Sequence, residues 1–365
     1  MIDLTDAELQ SLTWEPVVSS WLGSRFLGDV PVTSGKTTWS RLREVQGSLD
    51  LTVPRWAAEQ EGEAARDWSP AGDAPHPPSH HWQTLAVAIR VTTQVTGRSW
   101  LQQCGRFLIT RWTAGIDTVT ITGASAAGQK ILDDRFWSPQ PTLPGGSFGS
   151  ELRRLVPSTI GMLIDAGLVD RGVPSMSWPE SRMSAVQEIA STWPARLRET
   201  GDGMIAVLPP LGEWTPGLVL TDGESGTVVE ATPEGSREGI YNVVVARGQS
   251  TTDAGVPDFQ GVAEQSTGPY ATAAYGSVVR FFSSPLITSQ HAAAQTAATL
   301  LATELAPATT LPVVCASDPR ITLDQPVTIR THTPDQRTVE RPGWASGFSL
   351  PLTHASDMTL DVEIA

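Results

Sequence analysis

The chain has 365 residues, 39 of them acidic and 25 basic, for a formal charge of −14. A hydrophobic fraction of 40% excludes disorder along the whole chain, and without an apolar run of about 18 residues no membrane span is predicted. The acid excess argues against a duplex-DNA reader, and Cys104 and Cys315 alone build neither a disulfide framework nor a thiolate zinc site.

In chain order, the N-terminus with Met1, Asp3, Asp6 and Glu8 does not read as a signal peptide. Strands are predicted from the alternation Leu49, Leu51, Val53, from Leu85, Val87, Ile89, Val91, and from Cys104–Trp112 and Val119–Ile121. Between the first two lies a long acidic and Pro-rich insert, residues 55–82, with Glu59, Glu61, Glu63, Asp67, Asp73, Pro75, Pro77 and Pro78. Further on, Ile160, Leu163, Ile164 and Leu168 lie at helical spacing between Pro157 and Gly172, predicting a helix. A second helix is predicted from Val186, Ile189, Ala190 and Trp193, opened by a capping box of Ser177 and Glu180 and stopped by Pro194. Strands resume at Met204–Leu208, Val228–Val229 and Tyr241–Ala246; an Ala-rich helix spans 289–306; strands at Leu311–Cys315, Val327–Arg330 and 358–364 close the chain. The expected architecture is mainly β with a helical insert. Residues 1–123 form a first β-barrel unit, 124–203 a small helical linking unit, and 204–365 a second β-barrel unit with the embedded helix.

Several constellations invite a chemical reading. Gly145-Gly146-Ser147-Phe148-Gly149 is a literal G-x-S-x-G, the spacing of a nucleophile elbow. The preceding Pro139, Pro141 and Pro144 rule out the central strand that motif requires, so a Gly/Pro loop is expected. His76, His80 and His81 near Asp73 could ligate zinc, but adjacent residues of an extended segment point in opposite directions. Glu59, Glu61, Glu63 and Asp67 read as a solvated acidic run rather than a glycosidase pair held across a cleft. Both cysteines read as buried small hydrophobes. No phosphate-cradling loop occurs. Catalytic residues, metal ligands and cofactors are all read as none. The 13 tryptophans crowd the first unit, and Trp56, Trp68, Trp82 and Trp100 are the candidate interface residues, with core filling as the alternative.

Several segments together resemble one family: REVQGSLDLTVP (43–54), HHWQTLAVAIRV followed by CGRFLITRW, DTVTITGASAAGQKILDDRFWSP, the span Trp178–Val207, YNVVVARG, Gly268-Pro269-Tyr270 and YGSVVRFFSSPLIT. In order and spacing they resemble the tail hub proteins of long-tailed bacteriophages, related to the trimeric baseplate hub of contractile tails. The stretch after about Arg330 has no counterpart. The resemblance implies a structural virion protein at the distal end of the tail, with no enzymatic activity. It implies a homotrimer in which two tube-like β-barrel units per chain make a pseudo-sixfold ring. Such a ring joins the tail tube or distal tail protein above to a central fibre, tip or other minor tail proteins below, and phage DNA passes through it. Part of the acid excess is expected to face that passage, where carboxylates repel phosphates. The rival readings are a tail-associated wall hydrolase or esterase using Ser147 or the acids of the insert, and a carbohydrate-binding receptor module.

Overall fold

The computed structural model describes residues 8, 11–58, 64–70, 75–224, 226–233, 239–248, 257–305, 310–333, 335, 337–354 and 356–364. The first unit contributes β1 (Leu12–Leu22), β2 (Arg25–Asp29), β3 (Ser34–Ser40), β4 (Gly47–Pro54), β5 (Gln83–Thr93), β6 (Ser99–Ala114) and β7 (Thr118–Ser125). Strict alternation in β4 buries Leu49, Leu51 and Val53 and turns Ser48, Asp50 and Thr52 outward. The buried side chains meet Leu85, Val87 and Ile89 of β5 in one core together with Trp14, Trp39 and Phe107. Gly105, at φ 148° in β6, admits no side chain, because a Cβ would lie 2.6–2.7 Å from the Phe107 and Trp39 rings.

The linking unit holds α1 (Ala126–Asp133), α2 (Phe148–Leu155), β8 (Met162–Ile164), α3 (Arg182–Thr192), β9 (Arg196–Glu199) and β10 (Ile205–Leu208). Its core gathers Phe148, Leu152, Trp178, Ile189 and Trp193. The helix expected over 160–168 does not form. Met162–Ile164 instead pairs parallel with Ile205–Val207, since Pro157, Gly161 and Gly167 interrupt the helical register and leave only a short extended piece. The second expected helix is α3, but its N-cap is Ser181 rather than Ser177. Ser177–Trp178 is held extended against Gln140–Pro141, which places the Trp178 indole in the core.

The last part comprises β11 (Leu218–Thr221), β12 (Val228–Ala231), β13 (Val243–Arg247), β14 (Gln260–Glu264), α4 (Thr272–Tyr275), β15 (Val279–Ser283), α5 (Gln290–Leu305), β16 (Thr310–Cys315), β17 (Pro326–His332), β18 (Thr338–Pro351) and β19 (Met358–Ile364). Helix α5 covers the small sheet β14–β13–β15, burying Ala293, Ala297 and Leu301 against Val244 and Ala246. The other strands join the first unit in one open sheet of 13 strands, ordered β12-β16-β19-β18-β3-β4-β7-β6-β5-β1-β2, with β17 and β11 branching from β18.

This corrects the expectation of two β-barrels: no sheet among the described residues closes on itself. Closing the first unit would require the β1–β2 end to pair with the free edge of β3. That edge is instead taken by β18, from Gly347 opposite Ser40 to Pro351 opposite Lys36. The architecture is a large β-sheet with helical insertions. The C-terminal stretch supplies its seam, because β18 pairs with β17, β19 and β3.

Candidate functional site

At the seam, one row of short polar side chains crosses both β units. Thr359 lies opposite Ser349, Ser349 opposite Thr38, and Thr38 opposite Ser48. The Thr38 hydroxyl donates to Ser349 Oγ at 3.1 Å across the seam. A flanking row runs Pro351, Lys36, Asp50, Thr122. These residues follow from the alternation that buries Leu49, Leu350 and Leu360 on the opposite face. Thr359, Ser349, Thr38, Ser48, Pro351, Lys36 and Asp50 line a groove of about 810 Å³. Its charged groups balance, Asp50 and Asp357 against Lys36 and Arg43, so the chain's acid excess is not expressed within this groove.

Behind the seam the three parts of the chain meet on a charged joint. Asp324, held at φ 61°, accepts from Arg41 at 3.2 Å through Oδ1 and pairs with Arg196 through Oδ2. Arg41 also pairs with Glu363. The first unit, the linking unit and the last unit are thus tied by one carboxylate whose side chain is only 5% exposed. Arg41 is desolvated there, which lowers its pKa. In the linking unit, Glu151 is fully buried and accepts from Trp178 Nε1 at 2.6 Å, Leu143 N at 3.0 Å and Arg154. Burial alone would raise its pKa, but the Arg154, Leu143 and Trp178 donors outweigh it and hold the group below the usual carboxylate range.

The residues singled out from sequence fall as follows. Ser147 is no elbow: it is the N-cap of α2, accepting from Ser150 N, while Ser150 Oγ accepts from Ser147 N. Its hydroxyl donates to Asp170 Oδ2 at 2.7 Å, while the other oxygen of that carboxylate, Oδ1, accepts from the N–H groups of Gly149 and Arg171. A serine so engaged has a carboxylate partner where an elbow places an imidazole. His80 and His81 stack at 4.7 Å and His80 Nδ1 accepts from Trp112, whereas His76 lies edge-on to Trp68. Among the described residues no three His, Cys, Asp or Glu side chains converge on a point that would hold a metal. Asp73, Glu59, Glu61 and Glu63 lie outside the described residues. Asp67 pairs with Arg55, and its pKa is pulled down to about 2 by the Ser69 hydroxyl and N–H and by Arg55. Burial pushes the Cys104 and Cys315 thiols up to about 12, far from a reactive thiolate.

The four candidate interface tryptophans separate. Trp68 is fully buried, with Nε1 donating to Ala57 O at 3.0 Å, and pins the insert onto the first core. Trp100 is half-buried against that core. Trp56 and Trp82 are 61% and 49% exposed, and Trp82 has a positive φ of 73°. Sequence reasoning missed the polar row, although the outward positions of β4 were its readable trace. It also missed the Arg41–Asp324–Arg196 joint, for which partners so distant in the chain leave no local pattern.

No protein-family model matches the sequence, and no curated protein matches it either. The fold, by contrast, has close counterparts over its whole length. A tail protein from Neisseria meningitidis superposes with a TM-score of 0.64 at 13% identity, covering 96% of both chains. The 43 kDa tail protein of prophage MuSo2 from Shewanella oneidensis gives 0.60 at 12% identity, covering 95% of this chain and 98% of its own. A prophage tail protein from Listeria monocytogenes gives 0.52 at 10% identity, covering 95% and 94%. The chain therefore has the fold of phage tail proteins from end to end. Among the described residues no helix is long and apolar enough to cross a membrane.

Proposed function

We propose that this protein is a structural, non-catalytic component of a phage tail, the hub at its distal end. Three copies form a ring that joins the tail tube or distal tail protein above to a central fibre, tip or other minor tail protein below. The observation that carries this reading is the unbroken sheet. It sets two β units of one chain side by side with a shared polar face, so that three chains offer six such units around a ring. The whole-length likeness to tail proteins supports the same assignment.

On this reading the row Thr359–Ser349–Thr38–Ser48 lines the passage for DNA. Short hydroxyls with balanced charge present no cationic ladder to the phosphates, so the duplex slides without sticking. Trp56 and Trp82, exposed and apolar, are assigned to contacts with neighbouring subunits or tail proteins. Trp68 and Trp100 act on those contacts only by holding the insert and the first core in shape.

The test is arginine substitution in the row. Particles carrying Thr38→Arg and Ser349→Arg assemble but release DNA more slowly, and added salt relieves the delay. Release at the wild-type rate would exclude the row from the passage.

A further inference from the structure

Three of the chain's 6 histidines, His76, His80 and His81, sit together on residues 75–82, the segment that returns the insert to the first unit. This segment is pressed onto the unit. Pro77, Pro78 and Ser79 are buried, the Ser20 hydroxyl of β1 donates to Pro77 O at 2.7 Å, and Ser79 N donates to His76 O at 2.9 Å. Ser20 and Gln83, which lie beside it, are themselves fully buried.

Each imidazole fits its place as a neutral ring, and protonation disturbs all three. His76 lies edge-on to Trp68, and its Nδ1 is buried without a hydrogen-bond partner. A proton there would be sealed from water and from any acceptor, with the Arg66 guanidinium, 4.0 Å over the Trp68 ring, as a neighbouring cation. Asp67 is the carboxylate that acts on this ring, and it is already engaged by Arg55 and Ser69. Burial and Arg66 outweigh the Asp67 backbone and carboxylate, and hold the His76 pKa below its ordinary 6.5. His80 is committed by geometry: an indole N–H only donates, so the Nδ1 that accepts from Trp112 at 3.2 Å carries no proton. His81 stacks on His80 with ring centroids 4.7 Å apart, and two imidazolium rings at that separation repel. The elements packed against the segment present Ser20 from β1, Gln83 from β5 and Trp112 from β6, all uncharged, and Arg111 beside Trp112 is a cation. Among the described residues the histidine paired with a carboxylate is His332 of the last unit, not one of these three.

We propose that residues 75–82 form a latch, closed at neutral pH and released in mild acid, because protonated His76, His80 and His81 no longer pack against Trp68, Trp112 and one another. Nδ1 of His76 meets water only when the segment lifts, so proton uptake and opening are one event. The sign follows from linkage: the closed form has its full stability above the ordinary histidine value of 6.5 and loses it as the pH falls below that value. Trp82, the last residue of the segment and 49% exposed, moves with it, so the apolar surface it offers is rearranged by acid. Trp68 is an uncharged anchor in the first core and keeps the rest of the insert attached. The latch is independent of the hub reading.

The experiment is amide hydrogen exchange on the full chain at about pH 7.5 and about pH 5.5, with protection corrected for the intrinsic pH dependence of exchange. Protection over residues 76–82 is expected to fall about tenfold or more, the effect of one coupled proton over one pH unit below the histidine value, while protection in β5 stays unchanged. The double variant His76→Gln and His80→Gln, whose amides stay neutral, is expected to keep the same protection at both pH values. Undiminished protection of the wild-type segment at the lower pH, or a loss that the double variant shows in full, would overturn the latch. If the double variant is undocked already at the higher pH, the imidazole NMR titration of the wild-type chain decides. Rings of His76 and His80 that titrate together with the loss of protection support the latch, and rings that take up protons while protection holds overturn it.

Discussion

Gln46 and Glu199 grip one another reciprocally: Gln46 N donates to Glu199 Oε1 at 2.8 Å, and Glu199 N donates to Gln46 Oε1 at 2.8 Å. This pair closes the turn between β3 and β4 onto β9, and the second oxygen of Glu199 accepts from Gly128 N at 2.9 Å in the first turn of α1. Gly128 has to be glycine, because a Cβ there would lie 2.5 Å from Glu199 Oε1. One carboxylate therefore connects the first β unit to two elements of the linking unit.

Replacing Glu199 with Ala strands the N–H groups of Gln46 and Gly128 and is expected to cost about 2–5 kcal/mol, read by urea unfolding. Burial raises the pKa of Glu199 above its ordinary 4.5. A group whose native pKa is raised contributes stability that is complete below the unfolded value and is lost as pH rises through the native value. The Glu199→Gln variant cannot ionise, so its stability relative to wild type is expected to increase as the pH rises above the ordinary value of 4.5. A relative stability that falls over that rise would show that the donors, rather than burial, dominate the site.

Asp324 makes a larger prediction. Its removal leaves Arg41 and Arg196 without their shared acceptor, and breaking such a buried pairing costs about 3–5 kcal/mol. Asp324→Asn is expected to be milder than Asp324→Ala, because Asn keeps an acceptor and tolerates the positive φ. Limited proteolysis should find the linking unit cut faster in the Ala variant, as the joint loosens.

Ser147→Ala should remove the N-cap of α2 and cost about 1 kcal/mol, with no ester hydrolysis to lose in the wild-type protein. Ester turnover by wild type that the substitution abolishes would restore the enzyme reading.

The insert separates its two tryptophans by role. Trp68→Ala empties a fully buried site and is expected to cost about 3–5 kcal/mol. Trp56→Ala should stay within about 0.5 kcal/mol of wild-type stability, yet weaken self-association measured by sedimentation.

Individual strands with strict alternation, such as β4 and β5, were legible because burial on one face writes a period of two into the sequence. The long β18 was not. Pro342, Gly343, Gly347 and Pro351 make it read as loop, and the register shift between Ala345 and Gly347 breaks its alternation. That strand also decides between a barrel and an open sheet, by occupying the edge of β3, so the error in closure and the missed strand have one cause. The G-x-S-x-G pattern was visible, but a cap and an elbow share local residues and differ only in what faces the hydroxyl. Asp170 supplies that difference from outside the motif.

The most direct test of the hub account is the native mass of the purified chain across concentration, with images of the assembled species. The account predicts three chain masses and an open ring, with Thr38 and Ser349 on its inner wall. A species that remains monomeric even with the neighbouring tail proteins added, or a ring that carries this row on its outer surface, would contradict it.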